Sequence, residues 1–447
     1  MKKYLLHLAL ITTTINAADN ITAWFSEGKI NGNLRYYYIE TNKKSPTVDS
    51  SAHANSFGGN LHYETSKLNG FSSGITFMST NAFRLPDKVD ASLLARDNGV
   101  RLENSAGGSE AQKSFSVIGE AYLEHFKDGL KIGYGRKAMN TPLLHTKDVR
   151  MILSTVQGAY AKYIFNDNTT FSINYLTHFK QRTSNKFTNI VEHVLGSQTK
   201  AITGDDKQDL ILFGTEYAKD SLRAKFYDYY ATNFINMLYT DLSYSSNLNN
   251  GSNWSLAAQF ISQYSIQNSD ENLAKTGSIT GGKQISSNAL ALKGSYSLAE
   301  STFTLAASKL FSDSNKHDSL VLPWDGTPLF TNMITANNLF QSNYGKGLQA
   351  DSVYIGGSKA LKIGFSQKFG FADLKGLKAS LSYLITDNDR FMKKQKDLNA
   401  VLSYSKDNYS VAFKGIWVDN NSDMKANGTV TQIDDFSQFR VIANYNW

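Results

Sequence analysis

The sequence predicts an all-β fold, a transmembrane antiparallel β-barrel of about eighteen strands. Three observations predict it. Apolar and polar residues alternate at period two through many short segments, which marks strands with one apolar face. The connections between these segments alternate short and long. The composition is polar yet poor in charge: 19% of residues are Asp, Glu, Lys or Arg, against roughly 25% in soluble globular chains, and there are 24 Tyr and 26 Phe.

The elements follow in chain order. Lys2 and Lys3 precede an apolar stretch from Tyr4 to Ile11, and Ala17 and Ala18 follow. A basic start, a short apolar core and small residues make residues 1–18 a secretory signal peptide, which leaves 19–447 as one barrel domain. Loss of Lys2 and Lys3 changes the net charge from +7 to +5, because 44 basic residues then face 39 acidic ones. Eighteen alternating segments come next, at 28–40, 57–65, 71–80, 114–126, 130–136, 158–165, 169–180, 208–218, 221–231, 235–247, 253–264, 286–298, 301–311, 360–369, 377–386, 397–405, 409–418 and 436–447. In 169–180, Phe171, Ile173, Tyr175, Thr177 and Phe179 share one face. In the last segment Phe439, Val441, Ala443, Tyr445 and Trp447 do the same. Many segments reach the ~9–11 residues that a tilted membrane strand needs.

Lys127-Asp128-Gly129, Asn166-Asp167-Asn168, Lys219-Asp220, Asn249-Asn250-Gly251 and Lys406-Asp407-Asn408 read as short turns. The long connections are 81–113, 137–157, 181–207, 265–285 and 312–359, and they hold all but one of the five prolines, Pro46 lying between the first two strands. Proline removes a ladder donor, so its absence from the segments supports the strand map. A soluble sandwich also alternates, but it buries its apolar face in a core. An even strand count with short turns on one side fits a barrel whose apolar face meets lipid and whose polar face lines a lumen. Closure also pairs every backbone donor in the membrane. Trp254 and Trp417 are candidates for interfacial girdles.

Composition excludes several classes. The mean hydropathy is −0.35, and no apolar run after residue 18 nears the ~20 residues of a spanning helix. With no cysteine, disulfide scaffolds, thiolate zinc sites and cysteine nucleophiles are ruled out. Basic residues are spread over the strands, so nucleic acid is not an expected partner.

Four stretches resemble the OprD-type outer-membrane porins, especially their Campylobacter and Helicobacter branch. They are GKINGNLRYYYIE (28–40) with SFGGNLHYETSKLNGFSSGITF (56–77), GEAYLEHF (119–126), GRKAMNTPLLHTKDVRMI (135–152) and FRVIANYNW (439–447). The third is the most specific. The resemblance implies eighteen strands, a basic ladder on the barrel wall and a third long loop folded inward to narrow the pore, here 137–157. It also implies a homotrimer and contacts with outer-membrane lipid and lipopolysaccharide. Trp447 stands where the family usually ends in Phe, and an aromatic there would be read by the barrel-assembly machinery. Loops 181–207 and 312–359 carry no recognised motif.

If the apolar face meets lipid, the other parity faces the lumen. It presents Arg35, Lys131, Lys162, Arg223, Lys225, Lys293, Lys362, Lys368, Lys378, Lys414 and Arg440, against Glu64, Glu120, Glu124, Glu216 and Asp241. The last five strands and the first form one basic arc, and the acids lie on other walls. Such a field would guide carboxylate-bearing solutes through a water-filled channel. The inward loop would add Arg136, Asp148 and Arg150, although Arg136 shares the parity of the lipid-facing Ile132 and Tyr134.

The sequence thus points to a channel for passive diffusion of ions and small hydrophilic solutes in a bacterial outer membrane. A surface adhesin that displays its long loops is the alternative. No enzyme is expected. Gly70-Phe71-Ser72-Ser73-Gly74 matches G-x-S-x-G but leads into a strand, where a nucleophile elbow needs a following helix. Gly277–Lys283 lacks the Ser/Thr and the helix of a phosphate loop. No cofactor is expected; Asp387-Asn388-Asp389 could at most help hold a calcium ion.

Overall fold

The computed structural model describes residues 18–44, 49–82, 94, 114–147, 149–248, 251–276, 279–334, 352–370, 374–390, 394–419, 424–426, 429–431 and 435–447. Eighteen strands form one sheet: β1 Lys29–Lys44, β2 Ser50–Glu64, β3 Phe71–Ala82, β4 Phe115–Lys127, β5 Leu130–Lys137, β6 Thr155–Asn166, β7 Thr169–Lys180, β8 Leu210–Lys219, β9 Leu222–Ala231, β10 Ile235–Asn247, β11 Asn253–Ser265, β12 Ser286–Leu298, β13 Ser301–Leu310, β14 Lys359–Lys368, β15 Leu377–Asp387, β16 Gln395–Lys406, β17 Tyr409–Asp419 and β18 Asp435–Asn446. Each pairs antiparallel with its sequence neighbours, and β18 pairs with β1, Asn33 opposite Asn446. The sheet therefore closes and leaves no edge. A two-residue piece, Thr188–Asn189, pairs with the end of β7, and Met424–Ala426 pairs antiparallel with Thr429–Thr431.

All eighteen segments read from the alternation are strands. β2 starts at Ser50 rather than near 57, because Ser50–Ser56 pair with β1 through a polar stretch that carries no alternation. The turn at Asp128-Gly129 has positive φ at both positions (50° and 79°), which matches the twist of the hairpin it closes. Of the expected signal segment only Ala18 falls within the described residues, and its N–H donates to the Lys67 carbonyl (2.7 Å). The short helix α1 (Ile21–Ser26) follows, tied to the β2–β3 turn by Ser66 N–H donating to the Trp24 carbonyl (3.0 Å).

The outward parity carries the exposed large apolar side chains, among them Leu34, Ile75, Leu123, Ile173, Leu256, Leu292, Ile363 and Phe413. A continuous belt of this kind is stable only against lipid. Trp417 and Trp447 are exposed on it, and Trp254 packs on Tyr244 with ring centroids 5.6 Å apart. No helix among the described residues is long and apolar enough to cross a membrane, so the strands do the crossing.

One face assignment is corrected. A register shift between Gln157 and Gly158 leaves Thr177 as an extra residue on β7. The extra residue reverses the alternation above it. Phe179 therefore leaves the face of Phe171, Ile173 and Tyr175 and turns inward, where it is buried and packs 4.7 Å from the His193 ring.

The lumen is not empty. Residues 138–147 and 149–154 run inside it: Leu143 N–H donates to the Tyr229 hydroxyl on β9 (3.1 Å), and Arg35 on β1 donates to the Arg150 carbonyl (2.7 Å). Two further connections pack against this one. The β7–β8 connection carries helices α2 (Glu192–Leu195) and α3 (Thr199–Thr203), and α3 meets α4 (Asn268–Thr276) through Asn268 donating to the Thr203 carbonyl (2.8 Å). The β13–β14 connection sends residues 319–334 inward, with Leu320, Val321 and Trp324 fully buried. These segments and the inward faces of β8–β13 share one hydrophobic cluster.

Candidate functional site

The three inward segments meet at Asp325. Leu144 pairs with Trp324 and Asp325, His145 N–H donates to the Trp324 carbonyl (2.9 Å), and the Trp324 indole donates to the Ile190 carbonyl (3.0 Å). The Asp325 carboxylate accepts from Ser154 Oγ (2.6 Å) and pairs with Arg182, whose own N–H donates to Ser154 Oγ (2.8 Å). Burial alone would raise the Asp325 carboxyl; Arg182, Lys147 and Ser154 outweigh it and hold it well below the usual carboxylate range. Beside these residues lies a cavity of 680 Å³.

Two opposed walls flank the cavity. On one, Lys414 and Arg440 stand directly opposite each other in the β17–β18 register. On the other, Lys225 of β9 stands opposite Glu216 of β8 and Asp241 of β10, with Lys225 Nζ 3.6 Å from Glu216. Seven strands lie between β9 and β17 on one side of the ring of eighteen and nine on the other, so these groups lie on nearly opposite sides. The loop adds Arg150, which is buried. Burial, and then the Arg440 guanidinium, push Arg150 down to about 9, so it stays charged at neutral pH. A like-charged pair placed directly across two strands is unfavourable for the sheet by itself. Lys414 and Arg440 therefore hold a strong local positive potential at a cost to folding.

The other sequence-derived residues are placed differently. Arg35 has lumen parity, but it holds the loop through the Arg150 carbonyl and bonds Asn444 Oδ1 (2.7 Å). Lys362 donates to the Asn332 carbonyl (2.6 Å), and Lys293 lies 4.4 Å above the Phe330 ring. Both fasten the 319–334 segment, which covers them. Lys162 is exposed near the turn end of β6, directly opposite Lys131. Glu64, Glu120 and Glu124 form a separate group at the root of the inward loop: Glu120 accepts from Ala138 N–H (2.9 Å), and Glu124 pairs with Lys131 (3.2 Å) and Lys137.

Arg136 belongs to β5 and not to the inward loop. It keeps the outward parity of Tyr134, bonds Gln157 (3.1 Å) and stacks 4.2 Å from the Phe187 ring. Asp148 lies outside the described residues. The period-two pattern gives no sign of the 319–334 segment. Its signal was the apolar run Leu320-Val321-Leu322-Pro323-Trp324 inside a long connection, where an exposed loop would be polar.

The residues resembling chemical motifs serve the fold. Ser72 and Ser73 lie in β3, and Ser73 Oγ donates to the Tyr122 carbonyl (2.9 Å). Asn388 donates to the Gly356 carbonyl (3.0 Å) and Ser358 Oγ (2.8 Å), which anchors the loop start at Asp387–Asp389. Among the described residues, no three His, Asp or Glu side chains gather as a metal site.

His317 gives the β13–β14 connection a pH dependence. Burial pushes it down to about 4, and it is neutral in place. An opened loop would bind the proton more readily, so loop stability should fall as pH drops from 6.5 through about 4, by roughly 3 kcal/mol at most. Protease cleavage within 312–334 should therefore increase over that range, and His317→Gln should flatten the increase.

A closed eighteen-stranded barrel with a lipid-facing apolar belt and loops crossing a charged lumen defines a channel-forming outer-membrane protein. The chain belongs to the OprD family of outer membrane porins, whose family model matches residues 22–447. No curated relative matches the sequence. The fold is similar to crystal structures of Pseudomonas aeruginosa OccK9 (OpdG), at 13% identity and TM-score 0.72, covering 95% of this chain and 99% of that one. It is also similar to Acinetobacter baumannii OccAB3, at 14% identity and TM-score 0.72, covering 94% and 99%. For A. baumannii OccAB1 the identity is 12%, the TM-score 0.72 and the coverage 97% and 99%. The protein is an outer-membrane porin of this family, and its barrel suits passive diffusion of small solutes.

Proposed function

We propose that the channel favours small solutes that carry a carboxylate, guided by the wall of Lys414 and Arg440 and by Arg150. The observation that carries this reading is the in-register Lys414–Arg440 pair at the cavity, facing Glu216 and Asp241 across the lumen. Arg440 is buried and already donates to Gln438 and to the Ile334 carbonyl (3.0 Å), so it acts through its field, and Lys414 acts as a point charge. The test is the reversal potential of the purified protein in planar bilayers, compared with Lys414→Gln/Arg440→Gln.

Further features belong to the same reading. The stretches 135–152 and 439–447 support a place in the Campylobacter and Helicobacter branch. Residues 1–18 act as a cleaved signal peptide, and Trp447 is the end read by the barrel-assembly machinery. The assembly is a homotrimer among outer-membrane lipid and lipopolysaccharide.

A further inference from the structure

We propose that Glu124, Tyr122 and Tyr160 form a binding site for a primary alkylammonium group on the lumen wall, and that the chain's own Lys137 occupies it. The site is built from small residues upward. Gly74 on β3 and Gly133 on β5 carry no side chain toward the lumen. A Cβ at Gly74 would lie 2.4 Å from the Tyr122 ring, and one at Gly133 would lie 2.5 Å from the Tyr160 ring. The two glycines thus let both rings lie against the wall and turn toward the lumen.

The Lys137 ammonium sits 3.9 Å from the Tyr122 centroid and 5.4 Å from that of Tyr160. It also pairs with Glu124, whose side chain is only 4% exposed. Aromatic faces with a buried carboxylate recognise a cation, and such sites select ammonium groups. The occupant is not sealed in: the Lys137 side chain is 24% exposed. Nearby, Glu64 and Glu120 add to Glu124, so three carboxylates face the two ammoniums of Lys131 and Lys137. A solute ammonium entering the cage would replace Lys137 without changing this balance.

The location gives the site a consequence. Lys137 ends β5, and the next residue, Ala138, is held by Glu120. The cage therefore clamps the root of the inward loop, and a competing cation would loosen it. This inference does not depend on the basic wall, which lies on β17 and β18.

The probe is n-butylammonium chloride, added to single channels in planar bilayers. Lys137→Met vacates the cage and keeps an apolar stem. The current of Lys137→Met should then be interrupted at about tenfold lower butylammonium than the wild-type current, because the probe no longer competes with a tethered lysine. Adding Glu124→Gln to Lys137→Met should abolish that sensitivity, and the double variant's open-channel current shows that it has folded and inserted. Equal sensitivity of Lys137→Met and wild type would overturn the proposal. So would an interruption that survives Glu124→Gln.

Discussion

Replacing Asp325 with Ala should raise the single-channel conductance and make the open current noisier, while the barrel stays folded. Asp325 joins all three inward segments: its own, Ser154 of the first, and Arg182 at the start of the second. Removing one partner of a buried pair leaves the other charge uncompensated, which costs about 3–5 kcal/mol. That cost falls on the interlocked loops, because none of these residues belongs to a barrel strand. Heat-resistant migration of the folded barrel in gels should be unchanged, and loop cleavage by external protease should increase. The sign of the pH effect follows from the lowered Asp325 carboxyl. Its stabilisation is present above the unfolded value of 3.8 and disappears only as pH falls through the lower folded one. Conductance should therefore show no Asp325-dependent opening between pH 7 and pH 4. An Asp325→Ala channel with wild-type conductance would place the constriction elsewhere.

The second large effect concerns charge. Lys414→Gln/Arg440→Gln should shift the reversal potential in a salt gradient toward cations and slow the entry of small carboxylates by about tenfold, the scale at which a focused field raises local counter-ion concentration. Gln keeps a donor but is two atoms shorter than Arg, so the Arg440 contact with the Ile334 carbonyl (3.0 Å) is lost together with the charge. With both bases neutral, Lys147, Arg150, Arg182 and Lys225 remain against Glu216, Asp241 and Asp325, so the positive excess of the cavity lining falls from three to one. Lys362→Gln should behave differently: it loosens the segment at Asn332 and should change noise more than selectivity.

The barrel was legible because membrane strands must alternate. Lipid and lumen impose opposite demands on successive side chains, and that requirement survives without any knowledge of contacts. The same parity placed Lys414, Arg440, Glu216 and Asp241 on the lumen face. It failed at Phe179, because one inserted residue reverses the alternation and leaves no mark in composition. Function within the lumen was less legible. Parity gives direction but no partner, so Arg35, Lys293 and Lys362 read as pore-lining charges although they fasten inward segments, and Arg440, which does line the cavity, also fastens one through the Ile334 carbonyl. The 319–334 segment was missed for a related reason: a loop that packs inside a barrel has no period, and only its apolar run betrays it. Arg136 was assigned to the constriction by its place in a stretch resembling the family, while its parity pointed outward, as the structure has it.

The most direct measurement uses the absence of native cysteine. Val149→Cys puts one thiol on the inward loop at the cavity, and Leu256→Cys puts one on the lipid face as a control. Charged methanethiosulfonate reagents are applied from the aqueous side while the single-channel current is recorded. If the constriction lies between this loop and the Lys414–Arg440 wall, modification at 149 reduces the current. The anionic reagent then reacts about tenfold faster than the cationic one, and the Leu256→Cys current does not change. A Val149→Cys current that is indifferent to modification, or a faster cationic reaction, would contradict this account of the pore.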